Sequence, residues 1–240
     1  MRIRTYGVVR GVMLKHPPTR FFKYSSGNKM NPVEIFQGRY ACKHYDPERD
    51  VPEEVFGRII EAARLTPSAM NVQPWHIYVF DRASKAKLRP AIRDFNLERF
   101  DGCSKAILIS SMTKVPDSYL EEITAREEED GRYAGAPEIK NTVDRARKAY
   151  VAAFKGEKLT GWTGKQTYIM LGYFLLAAAC EQVDATPVEG FVPSVADELL
   201  DLKSRNETSQ LVVLLGYRKN DGNADRPKSR LPLDRIVTKF

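Results

Sequence analysis

The chain has 240 residues, 42% hydrophobic and 29% charged. That balance suits a folded protein with a sizeable core and excludes a disordered or fibrous one. The formal charge is +7, but seven of the 38 basic residues (Arg2, Arg4, Arg10, Lys15, Arg20, Lys23 and Lys29) fall in residues 1–29, which hold no acidic residue, so 30–240 carry 31 of each sign. A neutral body has no global attraction for polyanions, and no nucleic-acid partner is expected.

Residues 1–29 read as a basic, disordered extension, or as the product of a start site upstream of Met30, ahead of one domain over 30–240. They lack the continuous apolar core of a secretory signal. Cys42, Cys103 and Cys180 are far apart and form no C-x-x-C pair, which favours a reducing, cytoplasmic setting over a disulfide framework. His16, His44 and His76 form no metal-binding pattern, so no metal is expected. No apolar run reaches about 18 residues, so no membrane span is expected.

In chain order, the pattern predicts a short helix over 31–38 and a second over 52–65. Pro52 suits the first helical position of the second, and Glu53 and Glu54 suit its positive dipole end. Residues 75–80 read as a strand, 84–95 as a helix broken at Pro90, and 105–112 as a buried strand. Helices follow over 116–130 and 137–155. A third, over 165–182, is apolar nearly all round and must be enclosed by other elements. Strands over 185–188 and 211–217 close the pattern. Helices and strands are interleaved without strict βαβ order, which predicts an α+β fold around a small, mostly antiparallel sheet.

Four separated segments carry unusual chemistry. Arg39-Tyr40-Ala41-Cys42-Lys43 places two cations four apart at a helix end. Pro67-Ser68-Ala69-Met70-Asn71-Val72-Gln73-Pro74-Trp75 is a proline-bracketed loop rich in amide and hydroxyl groups, between a helix and a strand. Pro187-Val188-Glu189-Gly190-Phe191 puts a glycine at a strand end, where backbone can approach a ligand. In Arg226-Pro227-Lys228-Ser229-Arg230-Leu231-Pro232, the spacing of Lys228 and Arg230 in an extended segment points both the same way. With Arg39 they could clamp a phosphate dianion. Taken singly, each segment has a plainer reading as a solvated face, turn or tail. Ser68 lies in no G-x-S-x-G elbow, so a serine hydrolase is poorly supported.

In joint order and spacing, these segments resemble the oxygen-insensitive NAD(P)H nitroreductase family, in the branch that includes bacterial dihydropteridine reductases. The resemblance runs from about residue 31 to the C-terminus, and its most specific stretches are P-S-x-x-N-x-Q-P-W and P-K-S-R-L-P. It implies FMN as cofactor, NADH or NADPH as co-substrate, and a nitro, quinone or pteridine acceptor reduced by ping-pong hydride transfer. It also implies an intertwined homodimer whose C-terminal segment wraps the partner and pairs with its sheet. By that resemblance Arg39, Lys228 and Arg230 hold the FMN phosphate, with Tyr40 and Ala41 beside them. Lys43 sits near flavin N1 and O2, Asn96 bonds the pyrimidine edge, and Arg99 stands where this branch has lysine. Pro67, Ser68, Ala69 and Asn71 line the flavin from the opposite subunit, and Gln166 from the long helix. Pro187, Glu189 and Gly190 bring backbone near N5. No side chain acts as acid or base; Tyr150 and Met70 gate the substrate. Ala41 replaces a frequent serine and Met70 a small polar residue. A flavin-binding sensor or storage module without turnover is the alternative reading.

Overall fold

The computed structural model describes residues 31–240; the expected 1–29 extension lies outside the described residues. Eleven regular elements follow: α1 (Pro32–Gly38), α2 (Glu53–Arg64), β1 (Trp75–Phe80), α3 (Leu97–Gly102), β2 (Lys105–Met112), α4 (Asp117–Glu129), α5 (Lys140–Ala152), α6 (Glu157–Cys180), β3 (Asp184–Val188), α7 (Pro193–Leu199) and β4 (Glu207–Gly216). The strands form one sheet in the order β1-β2-β4-β3, and every neighbouring pair is antiparallel. The expected α+β class with an antiparallel sheet is what the chain adopts. Pro187 sits in the edge strand β3, where its missing N–H costs no interior ladder bond.

Both faces of the sheet are buried, as the period-two alternation in β2 and β4 requires. Ala106, Leu108, Val212 and Leu214 face one core with Phe80, Phe100 and Phe191. Ile107, Ile109, Leu211 and Val213 face the other, where Ile59 of α2 and Met170, Phe174 and Ala178 of α6 cover them. A third, smaller core under α4 and α5 gathers Val72, Leu120, Val151 and Trp162.

Three expectations need correction. Residues 84–95 are not a broken helix but three single 3-10 turns, at Lys85–Lys87, Arg89–Ala91 and Asp94–Asn96. Pro90 withholds an N–H from any longer helix, and the turns bury Leu88, Ala91 and Ile92 instead. The long helix α6 begins eight residues before the expected 165, because Gly156, at φ 54°, turns the chain into it. Gly164 continues it where a Cβ would lie 2.7 Å from Gln210 Oε1. The short helices α3 and α7 carry too few periodic residues to show a pattern.

Candidate functional site

The segment after α1 is extended, and Arg39 bonds its own N–H to the Ile35 carbonyl. Its guanidinium donates to the carbonyl of Ala185 on β3 at 3.4 Å. The Lys228 ammonium, 189 residues further on, donates to the Arg39 carbonyl. Burial, and then the neighbouring Arg230, pull the Arg39 pKa down; burial, and then Arg39 and Arg230, pull Lys228 down. The three cations are thus gathered closely enough to repel one another. Among the described residues no carboxylate lies within ion-pair distance of any of them.

Asp221 fixes the neighbouring backbone. Its Oδ2 accepts from the N–H of Lys43 at 2.6 Å, the Tyr40 hydroxyl at 3.1 Å and the N–H of His44 at 3.4 Å, while Oδ1 accepts from Asn223. Burial alone would raise this carboxyl, but donors led by the Lys43 N–H outweigh it and hold the pKa well below the usual range. The Tyr40 ring lies under the Arg218 guanidinium at 4.5 Å, and Arg218 is itself paired with buried Asp184. Lys43 is half-buried, and Ala41 is exposed.

His44 Nδ1 contacts Glu98 at 2.7 Å and so ties this segment to α3, whose first turn carries Arg99. Just ahead of α3, buried Asn96 donates from Nδ2 to the Gly190 carbonyl at 2.8 Å. A Cβ on Gly190 would meet Asn96 Nδ2 at 2.2 Å and the Phe95 ring at 2.7 Å. Glycine there makes room for the pair. Glu189 accepts from the Tyr168 hydroxyl of α6 at 2.6 Å. Arg39, Tyr40, Lys43 and Lys228 are thus joined directly or through Asp221, Asn96 is joined to Gly190, and Ala41, Arg99, Pro187, Glu189 and Arg230 lie beside them in the chain; these residues are the first group.

The remaining predicted residues form a second group. Ser68 Oγ accepts from the Gln73 N–H at 2.8 Å, and the Ala69 N–H donates to Gln166 Oε1 at 3.0 Å. Met70, Asn71 and Gln73 have φ of 53°, 55° and 50°, a left-handed run in non-glycine residues. Pro67 and Met70 are exposed beside them. Tyr150, half exposed on α5, packs edge-on against Phe154 and Trp162, the cluster that Ala69 also touches.

Among the described residues no hydrogen bond or ion pair joins the two groups. Gln166 bonds the second and Tyr168 the first, and two positions on a helix are about 200° apart. They therefore lie on opposite sides of α6, facing different ways. Between them α6 leaves Tyr168, Ile169 and Tyr173 more than 40% exposed, next to exposed Phe36.

Sequence reading missed Asp221, Tyr168 and Phe95, and the buried pair Glu127–Arg147 that borders the second group. The pair did leave a signal. Ile139, Val143, Arg147 and Val151 are spaced by four, so Arg147 interrupts an apolar stripe. Asp221 left only a turn-like D-G-N sequence.

The model of the Nitroreductase family matches residues 36–217. An oxygen-insensitive NAD(P)H nitroreductase of Salmonella typhimurium is 34% identical over 218 residues, 87% of this chain and 99% of its own. One from Enterobacter cloacae is 32% identical over 216 residues, with the same shares covered. A protein of Exiguobacterium sibiricum solved in complex with FMN superposes with a TM-score of 0.78 at 22% identity, covering 90% of this chain and all of that one. The family model takes in the whole sheet and the second group but ends before Lys228 and Arg230, and the chain belongs to the nitroreductase family.

Proposed function

We propose that this protein is an FMN-dependent oxidoreductase that takes hydride from NADH or NADPH and reduces nitroaromatic, quinone or dihydropteridine acceptors, working as a homodimer. The observation that carries the reading is the gathering of Arg39, Lys228 and Arg230, three mutually repelling cations that, among the described residues, have no carboxylate within ion-pair distance. Such a cluster is relieved by a dianion, and a phosphate monoester supplies one. Gly190 supports it, since a Cβ there would displace Asn96, the residue this reading sets at the pyrimidine edge of the ring.

Bound FMN supplies a two-electron acceptor and donor at its ring. The chain's own residues bind and orient. Arg39, Lys228 and Arg230 hold the phosphate end. Asp221 fixes the Lys43 backbone, and the Lys43 ammonium stabilises negative charge at the pyrimidine side. Asn96 and Gly190 keep the edge of the ring in register. Met70 and Tyr150 shape the space for nicotinamide and acceptor, which use it in turn.

The opposite directions of the two groups support the dimer. The first group of one subunit is completed by Pro67, Ser68, Ala69, Asn71 and Gln166 of its partner. Exposed Phe36, Ile169 and Tyr173 form the contact, and exposed Leu231, Leu233, Ile236 and Val237 wrap the other subunit.

Purified protein should be yellow, bleach anaerobically with NADPH or NADH, and recolour with a nitroarene or quinone. Steady-state lines should be parallel, as ping-pong turnover demands. A yellow protein indifferent to both nicotinamides overturns the enzyme reading in favour of a flavin-binding module. A colourless protein that takes up no FMN overturns the whole reading.

A further inference from the structure

Two charged side chains lie almost wholly inside the α4–α5 hairpin, Arg147 at 1% exposure and Glu127 at 5%. Burying such a pair carries a desolvation cost of several kcal/mol per ion, and well-packed apolar residues hold helices together as well or better. Helix packing alone therefore does not account for it. An apolar pair could not, however, grip polar groups on a neighbouring loop. Arg147 donates from Nη2 to Glu127 Oε2 at 2.6 Å, from Nη1 to Thr124 Oγ1 at 2.6 Å, and from Nε to the Met70 carbonyl at 2.9 Å. Glu127 Oε1 accepts from Asn71 Nδ2 at 2.8 Å, and its Oε2 also accepts from the Tyr133 hydroxyl. Each partner of the ion pair thus holds one of two consecutive loop residues.

Those two residues are left-handed, as is Gln73. A side-chain-bearing residue in that conformation costs roughly 1–2 kcal/mol, somewhat less for asparagine. A loop with three such residues in four needs an external clamp. The Asn71 amide has a partner at each end: Nδ2 donates to Glu127, and Oδ1 accepts from Gln73 Nε2 at 3.2 Å. Asn71 therefore shapes the loop from within. On α5, Tyr150 lies three residues after Arg147, on the same face, with its ring against Phe154 and Trp162.

We propose that Glu127 and Arg147 are positioning residues that hold Met70 and Asn71 left-handed, so that the loop presents one shape to the cofactor and acceptor. This rests on the reading of residues 67–71 as a wall of the flavin site. The pair touches neither reactant and acts through the loop.

The test is a double variant, Glu127→Leu with Arg147→Met, which replaces the buried charges by apolar bulk. It should stay folded, with a lower melting temperature, because packing is largely preserved while Asn71, Tyr133 and the Met70 carbonyl lose partners. FMN affinity should change less than about threefold, since the phosphate cradle is untouched. The kcat should fall at least about tenfold, as misplacement of site groups does, and the visible circular dichroism of bound flavin should change. Parental kcat and dichroism in the double variant would overturn the proposal. If that variant does not fold, Glu127→Gln decides: it keeps shape and one acceptor but leaves Arg147 without its counter-charge, so a lower melting temperature is expected, and kcat measured well below it should fall roughly threefold or more. A parental kcat there overturns the proposal. A parent protein that takes up no FMN sinks the cofactor reading itself, a failure visible before any variant is made.

Discussion

In the cradle around Arg39, like charges face each other and the cations of the C-terminal segment stand in solvent. In the loop around Asn71, a buried cation and a buried anion are matched to each other and to the loop. The first group is left with unmatched charge; the second has its shape already. A cradle with unmatched charge contributes affinity. A loop whose polar groups already have partners contributes little affinity and much precision, because its ordering cost is met during folding rather than on binding. The division predicts that damage to the cradle empties the site, while damage to the loop leaves it filled and slow.

The sharpest way to break this contrast is Lys228→Ala with Arg230→Ala. Each charge-assisted contact to phosphate is worth about 1.5–3 kcal/mol. Losing two should weaken FMN binding by two orders of magnitude or more and give largely colourless protein. Fluorescence titration of FMN into the apoprotein measures this, and full retention would place the phosphate elsewhere. Residual binding should be less salt-sensitive than the parent's, since fewer ions are exchanged.

Gly190→Ala comes next. Its Cβ would meet Asn96 Nδ2 at 2.2 Å and the Phe95 ring at 2.7 Å. Asn96 must then leave the Gly190 carbonyl, at a cost of roughly 1–3 kcal/mol. The expected outcome is about tenfold lower kcat/KM for NADPH. An Asn96→Ala second change should relieve part of the clash, so the two should be less than additive. Strict additivity would show that the two residues do not share that space.

How much of this was legible in the sequence follows the same line. The cradle was readable because its cations lie in short, unusual motifs: Arg39 and Lys43 at a helix end, Lys228 and Arg230 between prolines. Strands β1 and β2 were readable to the residue because alternation and β-branching agree there. What anchors the site was not readable. Asp221 meets Lys43 across 178 positions and Arg147 meets Met70 across 77, and no local period encodes a pairing at that distance. Residues 84–95 misled because a helical composition around Pro90 was overruled by the burial of Leu88, Ala91 and Ile92.

Asp221 gives the cradle a pH dependence that the loop should not share. Its carboxyl is held below the ordinary value by its donors, against the effect of burial. A group whose folded pKa is depressed stabilises the fold above its unfolded value, about 3.9, and that contribution is lost as pH falls. FMN retention should therefore hold down to about pH 3.9, the unfolded value, and decline only as pH falls from there toward the lower folded value. In Asp221→Asn, retention should already be weakened at pH 7 and should vary less over that range. Glu127 is likewise held low, with Tyr133, Arg147 and Asn71 outweighing its burial, but its protonation should lower turnover rather than FMN content. Measuring retention and kcat on the same acid series separates the two regions. Parallel decline of both would erase the distinction.

The smallest expected effect belongs to Lys43. Its backbone is pinned by Asp221, but its side chain is only half-buried. A half-solvated unit charge near the ring interacts with the reduced flavin by about 1–4 kcal/mol, between the limits of bulk water and of a protein surface. For a two-electron couple 1.4 kcal/mol corresponds to about 30 mV, so Lys43→Ala should lower the flavin midpoint potential by tens of millivolts and no more. The cation stabilises charge that appears on reduction, so oxidised FMN should bind with nearly parental affinity, and the variant should stay yellow. Spectroelectrochemical titration of parent and variant checks both parts. An unchanged potential would remove Lys43 from the electronics of the site. A large loss of oxidised FMN would make it a fourth member of the phosphate cradle, extending the region of unmatched charge to the edge of the ring.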